Sequence, residues 1–534
     1  MNKHILILIP LILSSFTHFW NPAQFPSFHL DEGVYIRRAL HTLNGHGPHD
    51  PNSQFDHPQS TTSSYDHPFF GQIFLAGIFK IINFPQNMIA DSNPANIERL
   101  FDTPRLIMGV LAVIDTLIIY RIGERKFNPT VGLFSALLFA VMPSTWFTRR
   151  VVLDSIMLPF ILTSILLALE TRFHLKHLNI LSLLSGVSLG LAIFTKIPSF
   201  TMIPLIVFLI YEGGGRKSFL SKTGSKTMVS LIVPIIAIPL MWPTYAFLIG
   251  DINQWYEGVF WQATQRYSDD KELFDAINNF LKSDPVLLIL GVLGITYLTI
   301  RRLFIGIFWI VPYFFMLYLI GWVNHFHLTL IIPILCISIA KMIYDLPTII
   351  RFKKNKAIIS SSIVAGIVIF GTISTTILIS TNLSYVQLST ASYIANSIFS
   401  KDRNSDNVNN VAAEFNNTRN GITVISGPIY SWVYEYALGY QFAFSHLRDT
   451  QPVATEKIIL VLDPLFKRVT ANSDSENQTQ AVRLFSIYGD SYPAAVFPEL
   501  RANYSKNTYP FTGINDADSY LSTTEIWKNY YDDS

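Results

Sequence analysis

Long apolar runs, separated by short polar stretches, fill the chain up to about residue 380. A helix needs about twenty apolar residues to cross the core of a bilayer. Only 14% of the residues are charged, whereas about a quarter are charged in a typical soluble domain. The sequence therefore predicts an α-helical polytopic membrane domain of about eleven transmembrane helices. The predicted spans are 4–20, 103–121, 128–145, 151–170, 178–195, 198–212, 227–249, 285–300, 303–321, 326–346 and 357–380.

Two domains are predicted, a membrane domain over residues 1–380 and a second domain over 381–534. A long loop, 21–67, follows the first span, and the aromatic segment 68–84 is predicted to lie along the membrane surface. After residue 380 the apolar and polar residues alternate as they do in soluble proteins, which indicates an α/β domain of unknown role. Its predicted elements are strands 422–426 and 457–463 and helices 430–439 and 479–488.

The distribution of lysine and arginine predicts the orientation of the chain. Cytoplasmic loops of membrane proteins carry an excess of these residues. If the N-terminus is cytoplasmic, every predicted inner loop is basic and residues 381–534 are extracytoplasmic. Four Asn-x-Ser/Thr sequons agree with this orientation because all of them fall after residue 380, at Asn382, Asn416, Asn477 and Asn503. We therefore expect a multi-pass protein of the cell membrane.

Four cations do not follow this cytoplasmic excess of lysine and arginine, because they lie at the outer ends of predicted spans. They are Arg105, Arg149, Arg150 and Lys196. Charges at membrane depth are costly and tend to mark substrate paths. Several cations on one face suit an anionic ligand such as a lipid phosphate. The alternative is that each side chain only reaches the outer headgroups. No basic patch with interleaved aromatic residues indicates nucleic acid.

The loop 21–67 is rich in histidine and carboxylate, with Asp31-Glu32, Asp56-His57 and Asp66-His67. No pair has the i, i+4 spacing of a helical metal site, and the single cysteine, Cys336, lies in an apolar run. We therefore predict no metal ligands and no cofactor, with a divalent metal left as an open alternative. Asp31 has a structural interpretation, as the N-cap of a helix over 33–43, and a catalytic one.

Four sequence blocks, in this order, resemble the protein O-mannosyltransferases of glycosyltransferase family 39, which belong to the integral-membrane GT-C class. They are His29–Gly33, Tyr65–Gln72, Arg149–Ser155 and Gly186–Lys196. The first is similar to the family's Asp-Glu motif in its first outer loop. The others resemble His-Pro-Pro-Leu-Gly-Lys, Arg-x-x-Leu-Leu-Asp-Ser and Gly-x-x-x-Gly-Leu-Ala-x-x-x-Lys. The resemblance covers about residues 1–250.

The resemblance implies a GT-C fold and transfer of a sugar, mannose in this family, from a polyprenyl (dolichyl) phosphate. The acceptor would be a hydroxyl, on a protein Ser or Thr in this family, at the outer face of the bilayer. A phosphate leaving group needs no general acid, but a carboxylate must accept the proton of the attacking hydroxyl. The resemblance assigns that role to Asp31, and it gives Glu32 a part in positioning the sugar or the acceptor.

The resemblance further implies that Arg150 and Lys196 hold the leaving phosphate, with Arg149 as the alternative to Arg150. His67 and Asp154 would shape the pocket, or Asp154 would pair with Arg150 and orient it. Gln72 departs from the family's lysine, and the loop 251–284 is too short for the family's inserted MIR domain. These departures leave the acceptor, protein or lipid, undecided.

Three other functions are weighed against this one. A GT-C transferase that moves aminoarabinose or another sugar onto a lipid or glycan shares the Asp-Glu loop and stays open. An oligosaccharyltransferase is disfavoured because no two tryptophans are adjacent and the first loop has no Asp-x-Asp. A transporter would predict internal repeats or helices interrupted at the midplane, and neither is evident.

Overall fold

A computed structural model describes residues 6–50, 65–88, 94–219, 222–264, 273–320, 323, 325–350, 355–384, 387–388, 391–392, 422–425, 428–438, 443–444, 457–462, 504–510 and 523–529. It contains two compact units. The first comprises Met1–Pro22, Tyr65–Gly71 and Arg105–Thr381, and the second comprises Ala23–Ser64, Gln72–Pro104 and Asn382–Ser534. Outside the described residues lie Asp56-His57, the predicted helix 479–488 and the sequons at Asn416, Asn477 and Asn503.

Helices make up nearly all of the described chain before residue 380. In chain order they are α1 (Leu8–Phe19), α2 (Leu30–Leu43), α3 (Phe70–Ile81), α4 (Pro94–Lys126), α5 (Pro129–Val141), α6 (Leu153–Glu170), α7 (Leu178–Thr195), α8 (Ile203–Phe219), α9 (Lys222–Ala237), α10 (Met241–Ile249), α11 (Ile252–Thr264), α12 (Leu273–Ser283), α13 (Pro285–Ile300), α14 (Ile305–Ile320), α15 (Ile332–Ile349) and α16 (Lys356–Ile379). Short 3₁₀ helices, among them Pro143–Arg149, Ile197–Met202 and His325–Ile331, connect some of these elements.

Every predicted span is largely helical in the structure, although the span 227–249 is divided between α9 and α10. Among the residues that the structure describes, six helical segments are long and apolar enough to cross a membrane, and two bent pairs, α5 with Pro143–Arg149 and α12 with α13, raise the number to eight. Shorter apolar helices, including α1 and α14, account for the remaining predicted spans. The polytopic α-helical class predicted from the apolar runs is therefore confirmed.

Two glycines of the fourth sequence block set the packing of α7 on α9. A Cβ atom on Gly186 would lie 2.3 Å from the carbonyl oxygen of Leu231, and one on Gly190 would lie 2.6 Å from that of Pro234. Helices in membranes gain contact when small residues let their backbones approach, as here. The Gly-x-x-x-Gly spacing of this block thus serves the packing of α7, the helix that Lys196 follows.

The second unit combines helices with a five-stranded sheet. Its strands are β1 (Ile422–Ile425), β2 (Ala443–Phe444), β3 (Lys457–Leu462), β4 (Tyr504–Pro510) and β5 (Thr523–Asn529). The strand order is β2-β1-β3-β5-β4, with β1 parallel to β2 and β3 and with β5 antiparallel to β3 and β4. The predicted strands 422–426 and 457–463 are β1 and β3, and the predicted α/β class of this part is confirmed.

Where a helix is predicted over 430–439, the structure has α17 (Pro428–Trp432), which continues as a π-helix over Val433–Ala437. We call residues 428–438 the tail helix. Its Trp432 is fully buried, with ring centroids 5.2 Å from Phe101 and 6.2 Å from Phe84. Burial of aromatic rings is a large apolar contribution to packing. The tail helix is therefore an integral part of the second unit.

Candidate functional site

Three of the four sequence blocks meet in the first unit, around Gly71. A Cβ atom at this position would lie 2.4 Å from Leu153 Cδ2 and 3.3 Å from Thr195 Cγ2. The neighbouring Phe70 ring packs on Phe160 of α6 and Phe194 of α7, at centroid distances of 5.3 and 6.1 Å. The second, third and fourth blocks are therefore packed against one another, as a shared site requires.

A buried ion pair lies beside this contact. Lys196 Nζ is 2.6 Å from Asp154 Oδ2, and the two residues are 5% and 2% exposed. Asp154 is in the first turn of α6, and Lys196 directly follows α7, so each charge also matches the sign that the helix dipole favours at that end. An ammonium in such a dry site interacts strongly with an anion, because little water screens it.

An aromatic ring that was not predicted from the sequence lies near Lys196. The lysine Nζ lies 5.5 Å from the centroid of the Phe326 ring, which belongs to the 3₁₀ helix before α15. The hydroxyl of Tyr313 donates a hydrogen bond to the carbonyl of His327, at 2.5 Å. In the sequence, Phe326 and His327 stand at the start of an apolar run. They lie too far along the chain from Lys196 for the contact to be predicted.

Two of the predicted phosphate-binding cations contact the backbone at the end of α1. Arg149 donates to the carbonyl of Trp20 at 2.5 Å, and Arg105 donates to that of Pro22 at 2.8 Å. Both arginines are 1% exposed. These contacts give the two guanidinium groups a structural part, because they anchor the turn that leaves the first helix.

Arg150 differs from its neighbour Arg149. Its guanidinium carbon lies 5.0 Å from the centroid of the Trp146 ring, so the cation stacks on an aromatic face. The guanidinium has five donors arranged in a rigid fork, which suits bidentate binding of a phosphate. Arg150 is therefore placed where aromatic stacking fixes its orientation.

Asp66 and His67 of the second block lie next to an aromatic cluster in the first unit. Tyr65 and Phe69 have ring centroids 5.5 Å apart, and the Tyr65 hydroxyl donates to Asp251 at 3.1 Å. Burial, together with the Asp251 carboxylate, raises the pKa of Tyr65, so this hydroxyl stays protonated and remains a donor. The Tyr65–Asp251 bond ties the second block to the chain that follows α10.

Asp31 and Glu32 belong to the second unit, at the start of α2. The helix begins at Leu30 and its N-cap is His29, so the interpretation of Asp31 as the cap is wrong. Glu32 supplies the other half of the capping box, because its Oε1 accepts from the backbone N–H of His29 at 3.0 Å. Glu32 is buried, at 2% exposure, whereas the Asp31 side chain is 18% exposed. Of the two carboxylates, Asp31 is thus the more accessible to a substrate.

The imidazole of His29 lies beside Asp31 at this helix end. Its Nδ1 lies 3.3 Å from Asp31 Oδ1 and 3.3 Å from the Asp31 backbone nitrogen. A histidine that caps through Nδ1 must be unprotonated there, whereas a protonated one would donate to the carboxylate. His29 belongs to the first sequence block, although the resemblance implies no role for it.

The middle of α2 is held by a buried group of charges. Arg37, 1% exposed on its side chain, has Nε 2.9 Å from Asp50 Oδ2 and a terminal nitrogen 2.5 Å from Glu435 Oε2 of the tail helix. The Arg37 guanidinium also lies 5.6 Å from the Tyr436 ring, and His41 Nδ1 lies 3.2 Å from the Tyr436 hydroxyl. The tail helix therefore contacts the same helix that carries Asp31.

Within the described ranges, which omit 51–64, no three histidine, cysteine or carboxylate side chains are arranged to hold a metal ion. The predicted site residues divide between the units. Asp31 and Glu32 are in the second unit, and the others are in the first: His67, Arg105, Arg149, Arg150, Asp154 and Lys196.

The model of the dolichyl-phosphate-mannose-protein mannosyltransferase family matches residues 100–242, which contain the third and fourth blocks. No curated protein matches the sequence. Among solved structures, the Archaeoglobus fulgidus oligosaccharyltransferase tethered with an acceptor peptide is similar over 96% of this chain and 73% of its own, with a TM-score of 0.53 and 12% identity.

Two further similar structures hold lipid phosphates. AglB of Archaeoglobus fulgidus, in complex with an inhibitory peptide and a dolichol-phosphate, matches over 100% of this chain and 74% of its own (TM-score 0.50, 12% identity). ArnT from Cupriavidus metallidurans, bound to undecaprenyl phosphate, matches over 98% and 97% (TM-score 0.51, 10% identity). At these identities the structures establish the fold. They show that this chain shares the fold of these enzymes, and the family model adds a likeness over residues 100–242.

Proposed function

We propose that the protein transfers a sugar from a polyprenyl phosphate to a hydroxyl acceptor at the extracytoplasmic face. We further propose that this sugar is mannose. The observation that carries the proposal is the buried Lys196–Asp154 pair, which lies where three motif blocks meet, inside the region matched by the mannosyltransferase family. Dolichol-phosphate and undecaprenyl phosphate are bound in two structures of the same fold, which supports a lipid-phosphate donor.

In the proposed reaction, an acceptor oxygen forms a bond to the anomeric carbon while the bond from that carbon to the phosphate oxygen breaks. The phosphate leaves with the electron pair, and the configuration inverts. Asp31 accepts the proton of the acceptor hydroxyl, which is consistent with its being the more exposed carboxylate of the two. Glu32 holds the helix end and so positions Asp31 and the bound sugar.

Lys196 and Arg150 are proposed to stabilise the negative charge that grows on the leaving phosphate. Lys196 is pre-oriented by Asp154, and Arg150 is pre-oriented by Trp146. The backbone contact of Arg149 favours Arg150 over Arg149 for this role, since one terminal nitrogen of Arg149 already donates to the carbonyl of Trp20. His67 and Asp154 shape the surroundings of the phosphate.

The test is a transfer assay in membranes that contain the wild type, Asp31→Asn or a control, with labelled polyprenyl-phosphate mannose. Asp275→Asn is the matched control, because it neutralises an exposed carboxylate in the first turn of α12. We expect transfer by the wild type and the control, and a loss of about 100-fold or more for Asp31→Asn. Equal rates for all three proteins would remove Asp31 as the base.

The acceptor and the sugar are separated by the same assay. A labelled product that resists solvent extraction and yields to protease is a glycoprotein, whereas an extractable product supports the alternative of a lipid or glycan acceptor. If the wild type transfers no sugar from any polyprenyl-phosphate sugar offered, the transferase proposal is refuted. Repetition with chelator tests the open alternative of a divalent metal.

A further inference from the structure

A basic cavity lies far along the sequence from the motif blocks, in the first unit. Its volume is about 370 Å³, and it is lined by Ile300, Arg301, Arg302, Leu303, Lys341 and Asp345. Small-molecule sites have volumes of roughly 300–1,000 Å³. The cavity is formed by the turn between α13 and α14 together with one face of α15. None of the proposed catalytic or phosphate-binding residues takes part in it.

The charges that line the cavity do not balance. Its one carboxylate, Asp345, is already bound, with Oδ2 2.7 Å from Lys341 Nζ and 2.7 Å from the hydroxyl of Tyr297. Arg301 and Arg302 are exposed, and neither forms an ion pair with any residue in the described part of the chain. The Arg301 side chain is hydrogen-bonded to Tyr297, which carries no charge to balance it, so the positive charges of Arg301 and Arg302 can attract an anion.

The backbone at Arg302 is unusual for an arginine. Its φ is 58°, in the left-handed region that glycine adopts without strain. The bond from the Leu303 nitrogen to the Leu298 carbonyl, 2.8 Å long, closes a helix end for which glycine is the usual residue. The chain thus has an arginine at a position where glycine would relax the backbone.

Apolar side chains flank the cations. Ile300 is 74% exposed, Phe304 40% and Tyr344 38%. The cavity lies at the ends of helices that cross the membrane, because α13 is part of a bent spanning pair and α15 is a span. A ligand that fits both surfaces has a negatively charged head beside the arginines and hydrocarbon beside the apolar residues. Basic pockets at the ends of membrane helices bind anionic headgroups in this way.

We propose that this cavity binds the phosphate group of an anionic membrane phospholipid, with Arg301 and Arg302 as its ligands and Lys341 beside them. The guanidinium forks donate to the phosphate oxygens, while the acyl chains lie along Ile300 and Phe304. This site is separate from the proposed reaction, and its test does not depend on any transfer activity.

The experiment measures lipid binding to the full chain in detergent by native mass spectrometry, with phosphatidylglycerol, phosphatidylcholine or inorganic phosphate as the probe. Variants are Arg301→Gln, Arg302→Gly and the double variant. Lys356→Gln is the control, because this exposed cation at the start of α16 does not line the cavity. Arg302→Gly also relaxes the backbone, so a lower affinity together with an equal or higher melting temperature in that variant cannot come from unfolding.

We expect preferential binding of phosphatidylglycerol, about thirty-fold weaker binding in the double variant, no change for Lys356→Gln, and a melting temperature for Arg302→Gly equal to or above that of the wild type. Equal binding of phosphatidylglycerol by the wild type and the double variant would overturn the proposal. Tight binding of inorganic phosphate alone, lost in the double variant, would replace the lipid with a soluble phosphate.

Discussion

Lys196 and Asp154, 42 positions apart in the chain, form a buried ion pair that joins the end of α7 to the start of α6. A lone buried charge is costly, whereas attraction to a partner offsets part of the cost of removing the charge from water. Asp154 therefore lets the protein hold an ammonium group in a dry site before any substrate arrives. Preorganised charge of this kind stabilises developing charge without reorganisation during the reaction.

Separate removal of either partner should destabilise the first unit. Lys196→Met or Asp154→Leu leaves one buried charge without its partner, which costs about 3–5 kcal/mol. The double variant removes both charges and should recover most of the melting temperature, yet it should not transfer sugar. Thermal unfolding in detergent measures the change in melting temperature, and the transfer assay measures the loss of sugar transfer. Recovered transfer in the double variant would contradict a phosphate-binding role for Lys196.

A methyl group at Gly186 should disturb the packing of α7 on α9. Gly186→Ala places a Cβ within 2.3 Å of the Leu231 carbonyl oxygen, and such overpacking costs about 1–3 kcal/mol. Gly366→Ala is the matched control, because no atom lies within 4 Å of the position its Cβ would take. We expect Gly186→Ala to lower the melting temperature and Gly366→Ala to leave it unchanged. Equal melting temperatures would argue against close contact of these helices.

Loss of the Arg37 charge should weaken the contact between α2 and the tail helix. Arg37→Met leaves Asp50, which is fully buried, and Glu435 without their shared cation, at a cost of about 3–5 kcal/mol. Arg121→Met breaks a more exposed arginine pair, with Glu124, and should cost about 0–1 kcal/mol. Hydrogen exchange over residues 30–43 and 428–438 measures the change. Unaltered exchange in Arg37→Met would refute the role given to this charge.

Acid should loosen the tail helix through His41. Burial, the largest influence, lowers the pKa of His41 from its ordinary value of 6.5, with His46 and Arg37 acting in the same direction and Asp50 opposing them. Because the folded pKa is depressed, the unfolded chain takes up the proton first. The stability that neutral His41 contributes is therefore present above pH 6.5 and is lost as the pH falls below that value.

Proteolysis of the tail helix over a range of pH tests this prediction, with His41→Gln as the comparison. The variant should show a smaller rise in cleavage between pH 6.5 and pH 5. Burial raises the pKa of Glu435 above its ordinary 4.5, so this group alone has the opposite effect: the folded state gains stability as the pH falls toward 4.5. An identical pH dependence in both proteins would assign the loosening to a group other than His41.

The membrane helices could be predicted because each needs a run of apolar residues, and composition alone reveals such runs. The helix ends were harder to predict. His29 is an unusual N-cap, and propensity favoured Asp31 for that role. The pairing of Asp154 could not be found in the sequence, since Lys196 approaches it only when α6 and α7 pack side by side. The backbone contacts of Arg105 and Arg149 are likewise tertiary, and neither residue's position in its helix indicates them.

The charge group around Arg37 has a consequence for the order of synthesis. The ribosome makes Glu435 about 400 residues after Arg37, which at roughly 5–20 residues per second is a delay of about 20–80 s. Throughout that interval the nascent helix α2 has its arginine and Asp50 in place but lacks the tail helix that covers them. A chain whose translation stops before residue 428 would therefore keep all of its spans and all four motif blocks, yet present an unfinished second unit to the membrane quality-control machinery.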